Sequence, residues 1–68
     1  MNKFAKRLTE ILKEKNITQK EFAKQICVSF QSVSDYCTGK HEPKYDLLIK
    51  ICLALNESAD FLLGITDI

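Results

Sequence analysis

The chain has 68 residues, 46% of them apolar, with a formal net charge of +1, one proline and two glycines. That length supports one domain with a modest core and argues against a large catalytic cleft, while the near-neutral charge is by itself a weak pointer to nucleic acid. No apolar run reaches membrane-span length, Met1-Asn2-Lys3 does not open a secretory signal, and three irregularly spaced cysteines do not read as a disulfide framework, so a cytoplasmic protein is expected.

Apolar residues recur at helical rather than alternating spacing, so an all-α chain of five helices is expected. The first covers about residues 3–15, with Phe4, Leu8, Ile11 and Leu12 on one stripe and lysines opposite. Asn16 suits a left-handed stop, and Ile17 after it reads as buried. The second helix covers about 19–26, capped by Thr18 with Glu21 completing a capping box, and its apolar face is Phe22, Ala23 and Ile26. Cys27 and Val28 break the pattern, and Ser29 is placed to cap a third helix over 30–37. There Val33, Tyr36 and Cys37 turn inward, leaving Phe30, Gln31, Ser32, Ser34 and Asp35 outward. Gly39 ends that helix, and Pro43 makes residues 40–43 a loop. A fourth helix over 45–55 carries Leu47, Leu48, Ile51, Cys52 and Leu55; as the most apolar, it is expected at the centre of the core. Asn56 ends it, and Ser58 caps a short fifth helix carrying Phe61, Leu62 and Leu63, stopped at Gly64. The chain shows no internal repeat, linker or low-complexity stretch.

The segment 18–39 is the most informative: two short helices joined by a few residues, the second exposing amide and hydroxyl groups. Such a face suits the reading of base edges in a DNA major groove, which points to a gene regulator. Charge is uneven along the chain. Residues 1–24 carry a net +4, residues 25–50 balance to zero, and residues 51–68 carry −3, so the acidic end should lie away from any polyanion. A solvated helix face accounts for most of the lysines of the first helix whatever the function.

Leu8 and Ile11, Ile17-Thr18-Gln19 with Phe22-Ala23, Val28-Ser29, Val33-Ser34 before Gly39 and Pro43, Leu48, Ile51 and the closing Asp60-Phe61-Leu62-Leu63-Gly64 together resemble the Cro and lambda-repressor-like helix-turn-helix family, also called xenobiotic-response-element-type regulators. None of these marks is specific alone; their joint spacing over roughly residues 4–64 is. The resemblance implies a compact five-helix DNA-binding domain, the motif formed by the second and third helices. It implies a transcriptional repressor that binds a pseudo-palindromic operator as a homodimer, with helix 30–37 in the major groove. Phe30, Gln31, Ser34 and Asp35 would then face base edges: Gln31 toward adenine, Phe30 toward a thymine methyl, Asp35 toward a cytosine amino group. Phe30 has a plainer reading, packed on the second helix or at a dimer contact, and Asp35 another, as an exposed helix residue. Phosphate contacts fall to Thr18, Gln19, Ser29, Ser32, Lys40, His41 and Lys44. Phe61, Leu63, Ile65 and Ile68 exceed what a short helix can bury and make 58–68 the candidate dimer surface.

Three positions depart from the family pattern. Cys27 stands where glycine is usual in the turn, Leu12 and Cys37 stand where the family commonly pairs Arg with Glu, and Tyr36 replaces a Trp or other large residue. An apolar contact between Leu12 and Cys37 would replace the ion pair.

Cys27, Cys37, His41 and Cys52 follow C-x9-C-x3-H-x10-C, which fits no zinc framework closely, so no metal or other cofactor is expected. Small-residue packing is favoured over a redox role for Cys27 and Cys37. A lone histidine and the lack of a nucleophile–base pattern or phosphate loop argue against an enzyme. The competing class is a protein-interaction module of the same fold, binding a toxin or antirepressor; an outward apolar cluster around Phe30 would favour it.

Overall fold

The computed structural model describes residues 3–67 as five helices: α1 (Lys3–Glu14), α2 (Gln19–Gln25), α3 (Phe30–Thr38), α4 (Tyr45–Leu55) and α5 (Ala59–Leu63). The all-α reading holds, with the ends of α1, α2 and α3 each one residue from expectation, and no helix is long and apolar enough to cross a membrane among the described residues.

Local chemistry sets both ends of most helices. Thr18, Ser29 and Ser58 accept from the backbone N–H of Glu21, Ser32 and Phe61, satisfying donors that the first turn leaves open. The box at α2 is complete, with the Glu21 carboxylate accepting the Thr18 N–H at 2.9 Å. Every helix is followed by a left-handed residue: Asn16, Cys27, Gly39, Asn56 and Gly64. After each, the next N–H returns to a carbonyl five residues back, as in Val28 to Ala23 at 3.0 Å and Lys40 to Asp35 at 2.9 Å. Five helices of twelve residues or fewer are thus closed by one repeated device.

One core joins the elements. Phe4, Leu8, Ile11 and Leu12 of α1 meet Phe22 and Ala23 of α2 with Ile26 just after it, Val33 and Cys37 of α3, Ile51 and Leu55 of α4, and Leu62 of α5. The α3 helix packs against both α1 and α2, and α5 packs on α1 and touches α4. Leu12 and Cys37 are buried in the same cluster, where the described residues include no buried charged side chain. The Thr9 hydroxyl lies 2.8 Å from the Ala5 carbonyl and 3.2 Å from that of Cys37, tying α1 to the last turn of α3.

The expectation that α4 forms the centre of the core is corrected. Only Ile51 and Leu55 are buried on it, and Leu47, Leu48 and Cys52 are partly so. Its apolar residues extend round more than one face, and the neighbours cover only one. Tyr45, Ile49 and Leu53, four residues apart on a second stripe, remain 84%, 58% and 78% exposed. The centre is instead the junction of α1, α2 and α3.

Arg7 holds the C-terminal segment. Its guanidinium donates to the Phe61 carbonyl, to the Thr66 carbonyl at 2.6 Å and to the Asp67 carboxylate at 3.1 Å, and it lies 4.3 Å over the Phe61 ring. The planar fork of Arg suits this several-donor role.

Candidate nucleic-acid interface

The turn between α2 and α3 depends on Cys27. Its φ of 60° is left-handed, so the position tolerates a conformation that an L residue adopts at a cost, and its side chain is exposed. The reversal aims Ser29 and the first turn of α3 outward, while Val33 and Cys37 anchor the helix on the core.

Serine hydroxyls organise that first turn. Ser29 Oγ accepts the Ser32 N–H at 3.1 Å and lies 2.9 Å from Ser32 Oγ. One of the two hydroxyl protons is used between them, which leaves one to donate to an outside oxygen. Thr18 Oγ1 likewise accepts from Glu21 N–H. The capping box also sets the Glu21 carboxylate beside that helix end. The Thr18 backbone N–H, and then its hydroxyl, hold the Glu21 carboxyl below the ordinary glutamate range.

Along the outer face, Gln31, Asp35 and His41 form a chain. Gln31 Nε2 donates to Asp35 Oδ1 at 2.9 Å, and His41 Nδ1 lies 3.0 Å from Asp35 Oδ2. The bond from Gln31, then that from His41, holds the Asp35 pKa below its ordinary value. An ionised carboxylate only accepts, so both partners must turn an N–H toward it. The carbonyl of Asp35 also receives the N–H groups of Gly39, Lys40 and His41, which folds the loop back against α3. Exposed Lys40 and His41 are thereby held near its outer face, and exposed Lys44 stands at the start of α4.

The remaining expected residues lie as follows. Phe30 is 47% exposed, with Lys20 Nζ 6.0 Å from its ring centre, so it leans toward the surface of α2. Ser34 and Gln19 are half-buried. The other exposed large apolar side chains among the described residues lie on α4 and around α5, not beside Phe30. Of the expected dimer residues, Phe61 is half-buried beneath Arg7, Leu63 and Ile65 are 46% and 71% exposed, and Ile68 lies outside the described residues. Sequence reading missed the stripe of Tyr45, Ile49 and Leu53, whose four-residue spacing was visible, and Arg7, whose partners lie too far along the chain to be read locally. Cys37 is buried, its thiol pushed up by desolvation against a smaller opposing bond from Thr9; burial likewise raises Cys52. Among the described residues, no group of three or more His, Cys, Asp or Glu side chains converges as metal ligands.

This arrangement has counterparts among known proteins. The family described as helix-turn-helix matches residues 8–62. The chain is similar to the HTH-type transcriptional regulator ImmR of Bacillus subtilis (strain 168), 36% identical over 59 residues that make up 87% of this chain and 46% of that relative. The chain therefore spans about half the length of the curated relative it matches.

Proposed function

This chain belongs to the helix-turn-helix family of the Cro and lambda-repressor type, and from that premise we propose that it is a sequence-specific double-stranded DNA-binding transcriptional regulator. The observation that carries the reading is the polar outer face of α3, presented by a buried Val33–Cys37 seam and flanked by a cationic loop. In this reading α3 enters the major groove with its first turn leading, and Phe30, Gln31, Ser34 and Asp35 face base edges. Thr18, Gln19, Ser29, Ser32, Lys40, His41 and Lys44 contact phosphates and set the register, as such contacts commonly do. The exposed phenyl edge of Phe30 suits a thymine methyl.

The protein acts as a repressor on a pseudo-palindromic operator, bound as a two-fold dimer. The dimer surface comprises Leu63 and Ile65; Phe61 supports it from beneath Arg7. The absence of an exposed apolar cluster around Phe30 among the described residues favours DNA over a protein partner on the α3 face. A toxin or antirepressor, if bound, would use the α4 stripe.

Selection of bound duplexes from a random pool tests the reading, with half-sites expected about 34–36 Å apart. Of these phosphate contacts Lys40 and Lys44 carry the counterion-releasing charge, so log affinity should fall with log salt at a slope of about −2 per domain. A flat salt response, or no enriched sequence, would overturn it.

A further inference from the structure

We propose that Asp35 is a positioning residue that makes Gln31 an adenine reader and excludes guanine, a refinement that rests on the DNA-binding reading above. Gln31 lies in the first turn of α3 with an exposed side chain, and its Nε2 donates to Asp35 Oδ1 at 2.9 Å. The other carboxylate oxygen is engaged by His41 Nδ1 at 3.0 Å, which braces Asp35 from the following loop.

The consequence follows from donors and acceptors. A primary amide has two N–H donors and one carbonyl acceptor, and nothing in its shape decides which end points where. The carboxylate decides it, because it accepts and cannot donate. One N–H is committed to Asp35, so Gln31 shows the outside one N–H and one C=O. That pair matches adenine, which offers N7 as acceptor and N6–H as donor. Guanine offers N7 and O6, two acceptors, and would place O6 against the Gln31 carbonyl. Asparagine at 35 removes the constraint, since it can donate to Gln31 Oε1 as well as accept from Nε2. With the amide turned over, both N–H groups face outward and guanine is accepted.

Asp35 thus specifies the base without touching it. An acidic side chain on a DNA-facing helix repels phosphate, and both of its oxygens are engaged within the protein. The positioning role accounts for its presence better than direct reading of cytosine.

The test uses the duplex enriched from a random pool, with every single base pair substituted in turn, against the wild-type chain and Gln31→Ala, Asp35→Asn and Asp35→Glu. The position where Gln31→Ala loses its preference is the one Gln31 reads. There the wild type should favour adenine over guanine by on the order of tenfold or more, the scale of a good bidentate contact. Asp35→Asn should reduce the ratio to within about threefold, and Asp35→Glu, which keeps a carboxylate, should recover part of it. In the free protein, the two Gln31 side-chain amide protons should be separated by more than in an unbonded glutamine in nuclear magnetic resonance spectra, and return toward the ordinary separation in Asp35→Asn. An adenine preference indifferent to Asp35→Asn would overturn this proposal alone, as would a preference for another base at that position. Failure to enrich any sequence would overturn the regulatory reading and this one with it; Gln31 amide shifts that are the same in the wild type and in Asp35→Asn would show that the Gln31–Asp35 bond itself is absent.

Discussion

Replacing Cys27 with glycine should make the protein more stable. Cys27 has φ of 60°, and its N–H bonds the Lys24 carbonyl while Val28 N–H closes on Ala23. Holding an L residue there costs roughly 1–2 kcal/mol, since Cβ crowds the following carbonyl. Glycine removes that crowding but adds about 0.4–1 kcal/mol of unfolded-chain freedom. The thiol is exposed, so its loss removes little burial. The net expectation is about 0.5–1 kcal/mol of added stability, which for a domain of this size raises the melting temperature by about 5 °C. Thermal and urea unfolding under reducing conditions measure it, with Cys27→Ala as reference. Alanine keeps Cβ and removes the sulfur, so it should stay close to wild type. If glycine were no more stable than alanine, the turn would store no strain and the reasoning would fail.

Three further outcomes are expected. Leu12→Arg should bury an unpaired charge at a cost of about 3–5 kcal/mol, comparable with the whole stability of so small a domain, and the double variant with Cys37→Glu should melt above it; equal melting would mean that the two sites are not coupled. Arg7→Ala should release the C-terminal segment by removing the bonds to Phe61, Thr66 and Asp67, so amide exchange at Ile65 and Thr66 should accelerate while that at Val33 changes less. The lowered pKa of Glu21 stabilises the fold above the unfolded glutamate value of about 4.3, and this contribution disappears as pH falls through the lower folded value. Urea midpoints measured from pH 6 to pH 2.5 should therefore fall less steeply in Glu21→Gln; parallel curves would contradict the capping-box account.

Much of the interface was legible because its grammar is local. Thr18 with Glu21, Ser29 with Ser32 and Ser58 with Phe61 each place a side-chain oxygen three residues before the N–H it accepts. The left-handed stops at Asn16, Gly39, Asn56 and Gly64 follow from residues that take that conformation at low cost. Gly64 is bound more tightly than its punctuation requires. A Cβ there would lie 2.4 Å from Cδ and 3.0 Å from Cβ of Lys3, a restriction imposed by α1 rather than by the turn.

The link from Asp35 to His41 was less legible, although only six residues separate them. It exists because the Asp35 carbonyl gathers three successive N–H groups and returns the loop to the helix face. Local pattern showed Gln31 and Asp35 one turn apart, but the ring that braces the carboxylate depended on the loop's path.

By itself, then, the sequence determined where helices start and stop, which faces of α1, α2 and α3 are apolar, and the pairing of two short helices about Cys27. Those features rest on hydrogen bonds and side-chain spacings within about one turn, so short stretches suffice to specify them. Tertiary structure decided which of α4's apolar stripes is covered, leaving Tyr45, Ile49 and Leu53 exposed, and it assigned Arg7 to the C-terminal segment rather than to solvent. Burial and long-range hydrogen bonds depend on which surfaces the other helices bring within reach, and no local periodicity contains that information.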